Sequence, residues 1–129
     1  MSALKTRYYI LNAFFHCCHL AIVSFILFAW IFPQARLFHL VFIFLTLGSW
    51  YILGIWMGSG YCPITDWHWK LKARMGEGRP SGTYIHYLVS HFLGIKMSSN
   101  RVDRIVVIVT GVVTLISITL NLMAWMTRQ

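Results

Sequence analysis

Four histidines stand where they could do chemistry. His16 and His19 lie in an apolar run free of formal charge, with Asn12 ahead of them at i, i+4 and i+7 spacing. That spacing puts all three on one helix face. A neutral imidazole is a common axial ligand of haem iron and a ready proton carrier. His86 and His91 follow in a later segment, five residues apart. On one helix they diverge by roughly 140°, so they cannot share a metal there. One of them facing His16 or His19 would make a bis-histidine site for b-type haem, or line a quinone path. The favoured reading of the same residues is a polar stripe that faces the bundle and hydrogen-bonds neighbouring helices. Both readings stay open on sequence.

Other chemistry is sparse. No Asp or Glu falls within the apolar runs, and no nucleophile elbow, phosphate loop or pair of acids is visible. His16-Cys17-Cys18-His19 looks like a zinc run on paper. Adjacent helical residues point about 100° apart, so one helix cannot offer all four to one ion, and no metal site is expected. Asp66 and His68, in Asp66-Trp67-His68-Trp69-Lys70, admit an acid–base pair or a carboxylate capping a helix.

The elements that must position these groups follow from composition. Of 129 residues, 58% are hydrophobic, 16% aromatic and 11% charged, and the mean hydropathy is +0.67. A soluble chain averages about 25% charged residues. A small soluble domain could not hide so much apolar surface. A soluble enzyme, a disordered tail and a disulfide-stapled secreted domain are excluded. An all-α integral membrane protein of one domain, residues 1–129, is expected.

Three runs are long enough to span: residues 8–32, 37–57 and 105–126, with a tight turn at Pro33-Gln34-Ala35-Arg36. The third is rich in β-branched residues, but in lipid a lone segment must satisfy its own backbone and is therefore helical. With the N-terminus inside, nine Lys and Arg lie on the inner side, and only Arg36 and Arg128 on the outer. The positive-inside rule then predicts a multi-pass protein of a bacterial inner membrane, N-terminus cytoplasmic and C-terminus outside. The formal charge of +8 is a topology signal, and no nucleic-acid partner is expected.

Residues 59–104 make the inner-face segment. Pro63 opens a short helix. Ile64, Trp67, Leu71 and Met75 recur at helical spacing along one face of it. Trp67, Trp69, Lys70, Lys72 and Arg74 are expected to anchor this basic amphipathic helix on an anionic inner leaflet. Residues 76–82 read as a loop. Residues 83–95, about 20 Å if helical, are too short to span comfortably. They are expected to form an interfacial or re-entrant helix completing a hairpin, with a four-span arrangement as the alternative.

Two small-residue patterns remain. Gly54 and Gly58 form a Gly-x-x-x-Gly pair, and Thr110, Thr114, Ser117 and Asn121 run along one face of the third span. Such residues let helices approach closely, within the chain or against a partner subunit.

Cys62-Pro63-Ile64-Thr65, a Trp-containing helix, a Gly-rich loop and then His86-Tyr87-Leu88 resemble a family of small bacterial multi-pass membrane proteins of unknown function. That family carries Cys-Pro-Leu-Thr and Gly-Phe-Ile-Glu-His-Tyr-Leu motifs between hydrophobic spans. The resemblance covers about 30 residues directly. It implies the span arrangement and a role for Cys62, Pro63, Thr65 and His86, but no reaction. This chain has Ile85 where the family has Glu.

The function expected from sequence is a non-catalytic accessory subunit of a larger membrane complex, with other membrane subunits as partners. A redox subunit binding b-type haem or quinone, and a small oligomeric transporter or channel, are the alternatives.

Overall fold

The structure, a computed structural model, describes residues 2–80 and 82–129; Ser81 of the Gly-rich loop lies outside the described residues. Three segments are long and apolar enough to cross a membrane: Ala3–Ile31, Pro33–Met57 and Ser99–Thr127. The first is helix α1 (Ser2–Phe28) and a closing 3₁₀ turn. The second is α2 (Arg36–Gly48), which passes through a π-helical turn at Ser49–Leu53 into α3 (Gly54–Met57). Two shorter helices follow, α4 (Pro63–Arg74) and α5 (Tyr84–His91), and α6 (Ser99–Thr127) is the last span. No strand occurs among the described residues.

The α6 helix starts at Ser99 rather than at residue 105 because a cap is available. The Ser98 hydroxyl accepts the Arg101 amide at 3.3 Å, so the first turn forms before the apolar run begins. Residues 83–95 give only the eight-residue α5, capped by the Thr83 hydroxyl, which itself donates to Asp103 Oδ1 of α6 at 2.9 Å. No fourth span is formed among the described residues. The turn between the first two spans is a 3₁₀ turn at Pro33–Ala35. There Arg36 Nε donates to Trp30 O at 3.1 Å, and Trp30 Nε1 to Leu27 O at 2.7 Å. Those bonds satisfy carbonyls that the end of α1 leaves free.

One polar lock ties the three long helices together near the turn between α1 and α2. His39 on α2 is wholly buried, with Nε2 2.8 Å from Ile26 O of α1 and Nδ1 3.0 Å from Ser117 Oγ of α6. A carbonyl only accepts, so Nε2 carries the proton and Nδ1 accepts from the serine. Asn121 adds a bond from Nδ2 to Arg36 O at 3.2 Å. Thr110 and Ser117 are buried, and Thr114 donates to Thr110 O. This stripe therefore packs within the chain.

The glycine pair does something other than helix packing. A Cβ on Gly54 would sit 3.3 Å from the Cα of Ser59, and Gly58 has φ +103°. Both serve the turn that folds the chain back at the end of α3, where Gly60 N reaches Trp50 O at 3.3 Å and Ser49 Oγ donates to Tyr61 O at 2.9 Å.

Replacing His39 by Leu is expected to cost about 1–3 kcal/mol, because Ser117 Oγ and Ile26 O lose their shared partner in a dry interior. Thr119→Val, which touches only its own exposed helix turn, is expected to cost less than about 0.5 kcal/mol. Unfolding in mixed micelles reads both. Equal values for the two would show that the lock contributes nothing.

Candidate functional site

The largest cluster of polar and aromatic side chains forms where α4 and α5 close over the N-terminal half of α1. The sequence makes α4 start where it does. Cys62 has extended backbone and its carbonyl accepts the Asp66 amide at 3.0 Å, while Pro63 occupies the first helical position, where no N–H is needed. Thr65 stands half-buried in that first turn.

The inward face of α4 takes in only part of the apolar row: Leu71 is buried, and Ile64 and Met75 are half-buried. Trp67 is 57% exposed, whereas Trp69 is 3% and Lys72 4% exposed, so these last two are interior groups rather than surface anchors. Lys70, Trp67 and Arg74 keep the exposed positions. The inward face is selected by polar partners. His68 Nε2 lies 2.9 Å from Asn12 Oδ1 of α1, and Trp69 Nε1 donates to Gly82 O at 3.3 Å. Gly82 has φ +81°, and a Cβ there would come within 2.9 Å of Ser99 Oγ and 3.1 Å of His86 Nδ1, so only glycine fits.

Charge on this face is self-neutralising. Asp66 takes Lys70 Nζ at 2.8 Å and Arg79 Nη2 at 3.0 Å, tying the loop after α4 back to its first turn. Hydrogen bonding from Lys70, then the charges of Lys70 and Arg79, holds the Asp66 carboxyl below the usual carboxylate range. Both cations are 60% exposed, so the pairs orient the loop more than they stabilise it. Lys72 Nζ is 2.7 Å from Glu77 and 5.1 Å from the Tyr87 ring centre. Burial opposes its charge, but bonds to Glu77 and Tyr87 outweigh that and keep its pKa raised.

Three histidines meet in the interior. The ring centres of His16 and His68 are 4.6 Å apart, and those of His19 and His68 5.7 Å. Tyr84 of α5 covers them. Its ring stacks on His19 at 3.9 Å and 10°, and its hydroxyl lies 3.0 Å from His16 Nδ1. Burial raises the pKa of Tyr84, so it remains a phenol with a proton to donate. Burial, reinforced by the neighbouring histidines, lowers the pKa of His68 to about 3. Asn12 Oδ1 only accepts, so the single ring proton sits on Nε2 and Nδ1 is a bare lone pair. His68 Nδ1 and His19 Nε2 are buried without a hydrogen-bond partner among the described residues.

Beside this cluster opens a cleft of about 1180 Å³, walled by α1, the loop after α4, and α5. Its wall includes His16, Lys72, Arg79, Tyr84, Tyr87 and His91. Of the four histidines singled out by sequence, His16, His86 and His91 border the cleft, and His19 lies behind Tyr84. His86 spends Nε2 on Met97 O at 3.1 Å. His91 stacks on Tyr87 at 4.8 Å. Ile85 stands half-buried beside Tyr84. The three cysteines are free, and no group of three or more His, Cys, Asp and Glu side chains stands in metal-binding geometry among the described residues.

His68, Tyr84 and Tyr87 are central here and were not central to the sequence reading, which weighed His68 only against Asp66. The available signal was a histidine and a buried-type tryptophan on the polar side of an otherwise amphipathic helix. Asp66 and His68 do not pair.

Residues 9–122 match the family described as Protein of Unknown function (DUF2784), and the chain belongs to it. No curated protein and no solved structure matches the chain.

Acid should loosen this site. His68 binds its proton less readily folded than unfolded, so its contribution is complete above the ordinary histidine value of 6.5 and falls as the pH drops from there toward about 3. Asp66, with its pKa lowered, adds a loss only below the ordinary aspartate value of 3.8. Thermal unfolding of detergent-solubilised protein should therefore drop from pH 7 to pH 4.5, and by much less in His68→Gln. Parallel profiles for the two would contradict the assignment.

Proposed function

We propose that the protein is a small, non-catalytic membrane subunit that holds a neutral, ring-bearing, lipid-soluble ligand of the quinone class in the cleft beside His16 and Tyr84. The observation that carries this reading is the lining of the cleft. Its cations are answered by the chain's own acids, Lys72 by Glu77 and Arg79 by Asp66. An anionic ligand would have to break those pairs. What remains on offer is aromatic faces and the hydrogen-bonding groups of His91 and of the linked Tyr84–His16 pair. Ring faces and one or two donors are what a quinone headgroup needs.

The remaining surface supports a membrane setting. Phe38 and Ile55 are among the many large apolar side chains facing outward. Exposed Lys70, Arg74, Lys96, Arg101 and Arg104 with Trp67 would meet anionic headgroups of a bacterial inner leaflet, with the N-terminus on that side. Little mass lies outside the spans, so electrons or protons would come from other subunits of an assembly.

A second reading, b-type haem, is favoured by one observation: His16 and His91 border the same cleft. It gains nothing from His86, whose Nε2 is engaged.

Equilibrium binding of a radiolabelled short-chain quinone analogue to the purified protein tests the first reading. Saturable binding is expected, weakened about tenfold by Tyr84→Phe and by His16→Ala, the loss of about one hydrogen bond each. No saturable binding, or binding indifferent to both changes, overturns it. A Soret band in the untreated preparation that vanishes with His16→Ala or His91→Ala gives the cleft to haem instead.

A further inference from the structure

We propose that His19 and His68, behind the Tyr84 ring and apart from the quinone cleft, form a two-nitrogen site for a monovalent copper ion. Each ring is buried, at 5% and 0% exposure, and His19 Nε2 and His68 Nδ1 are without a hydrogen-bond partner among the described residues. The ring centres lie 5.7 Å apart, on different helices.

His68 is prepared as a ligand in the way metal-binding histidines are. Its other nitrogen gives its proton to an amide oxygen, Asn12 Oδ1 at 2.9 Å, which fixes both the tautomer and the ring orientation. His19 is held by its stack on Tyr84 at 3.9 Å. Phe15 stacks on the outer side of His68 at 5.3 Å, so the pair is walled by rings.

The donor set selects the ion. Structural zinc wants four ligands, and calcium or magnesium wants carboxylate and water oxygens. No third His, Cys, Asp or Glu joins the pair in metal-binding geometry among the described residues. Copper(I) is soft, accepts imidazole, and is satisfied by two donors. Its single charge is also the least costly to bury among such cations.

The test is anaerobic titration of the purified full chain with copper(I) against a chromophoric chelator, followed by X-ray absorption of the loaded protein. One copper per chain is expected, with nitrogen neighbours and no sulfur. His19→Ala or His68→Ala should abolish binding, and Asn12→Leu should weaken it about 10–100-fold while keeping both ligands. The triple variant Cys17→Ser, Cys18→Ser, Cys62→Ser should bind as the wild type does. Failure to compete with the chelator, or sulfur among the neighbours, overturns the site and leaves a bridging water as the partner of both nitrogens. Because the absorption spectrum is read on the unsubstituted chain, a variant that misfolds does not decide the matter. Quinone binding is measured separately, so either proposal can fail alone.

Discussion

A wholly buried imidazole cannot leave its N–H unpaired, and His68 gives its proton to Asn12, a side chain on the first span. Most of the site depends on that bond. It draws α4, a helix with three basic residues in its last five positions, into the bundle by its polar side. With His68 seated, Trp69 is buried against the loop carbonyl of Gly82, and Lys72 is carried inward to Glu77 and Tyr87. Tyr84 then has a floor of imidazole rings to lie on, and the cleft opens along its other edge.

The chain uses histidine twice for the same structural purpose, with different completeness. His39 bonds through both nitrogens, to Ile26 O and Ser117 Oγ, and joins three spans. Nothing is left over for a ligand. His68 bonds through one and keeps the other bare in the interior. In a low-dielectric setting an unpartnered lone pair is costly, and this is the nitrogen that the proposed copper site would use.

What was legible in the sequence was whatever hydropathy and length decide. The three spans follow from uninterrupted apolar runs, since lipid leaves a lone segment no choice but a helix. The Thr110 to Asn121 stripe was legible too, because small polar groups at helical spacing have few other uses in a span. The inward face of α4 was not. Its apolar period pointed to Trp67, but the choice is made by Asn12, 56 residues away. Lone His39 gave no pattern at all, since its partners come from two other spans. Gly54 and Gly58 carried a helix-packing spacing yet serve a local turn, which depends on the π-helical turn before them. Of the histidines read from spacing, His16, His86 and His91 border the cleft, but His86 has Nε2 tied to Met97 O. Spacing shows which face a residue occupies, but not which neighbour will take its nitrogen.

The arrangement at His68 can be read directly. Nitrogen-15 NMR of histidine-labelled protein in lipid bilayers at neutral pH distinguishes the two neutral tautomers and the charged ring. His68 is expected to carry its proton on Nε2 alone, with Nδ1 unprotonated, and to lose that signature in Asn12→Leu. A His68 protonated on Nδ1, or on both nitrogens, would contradict that arrangement.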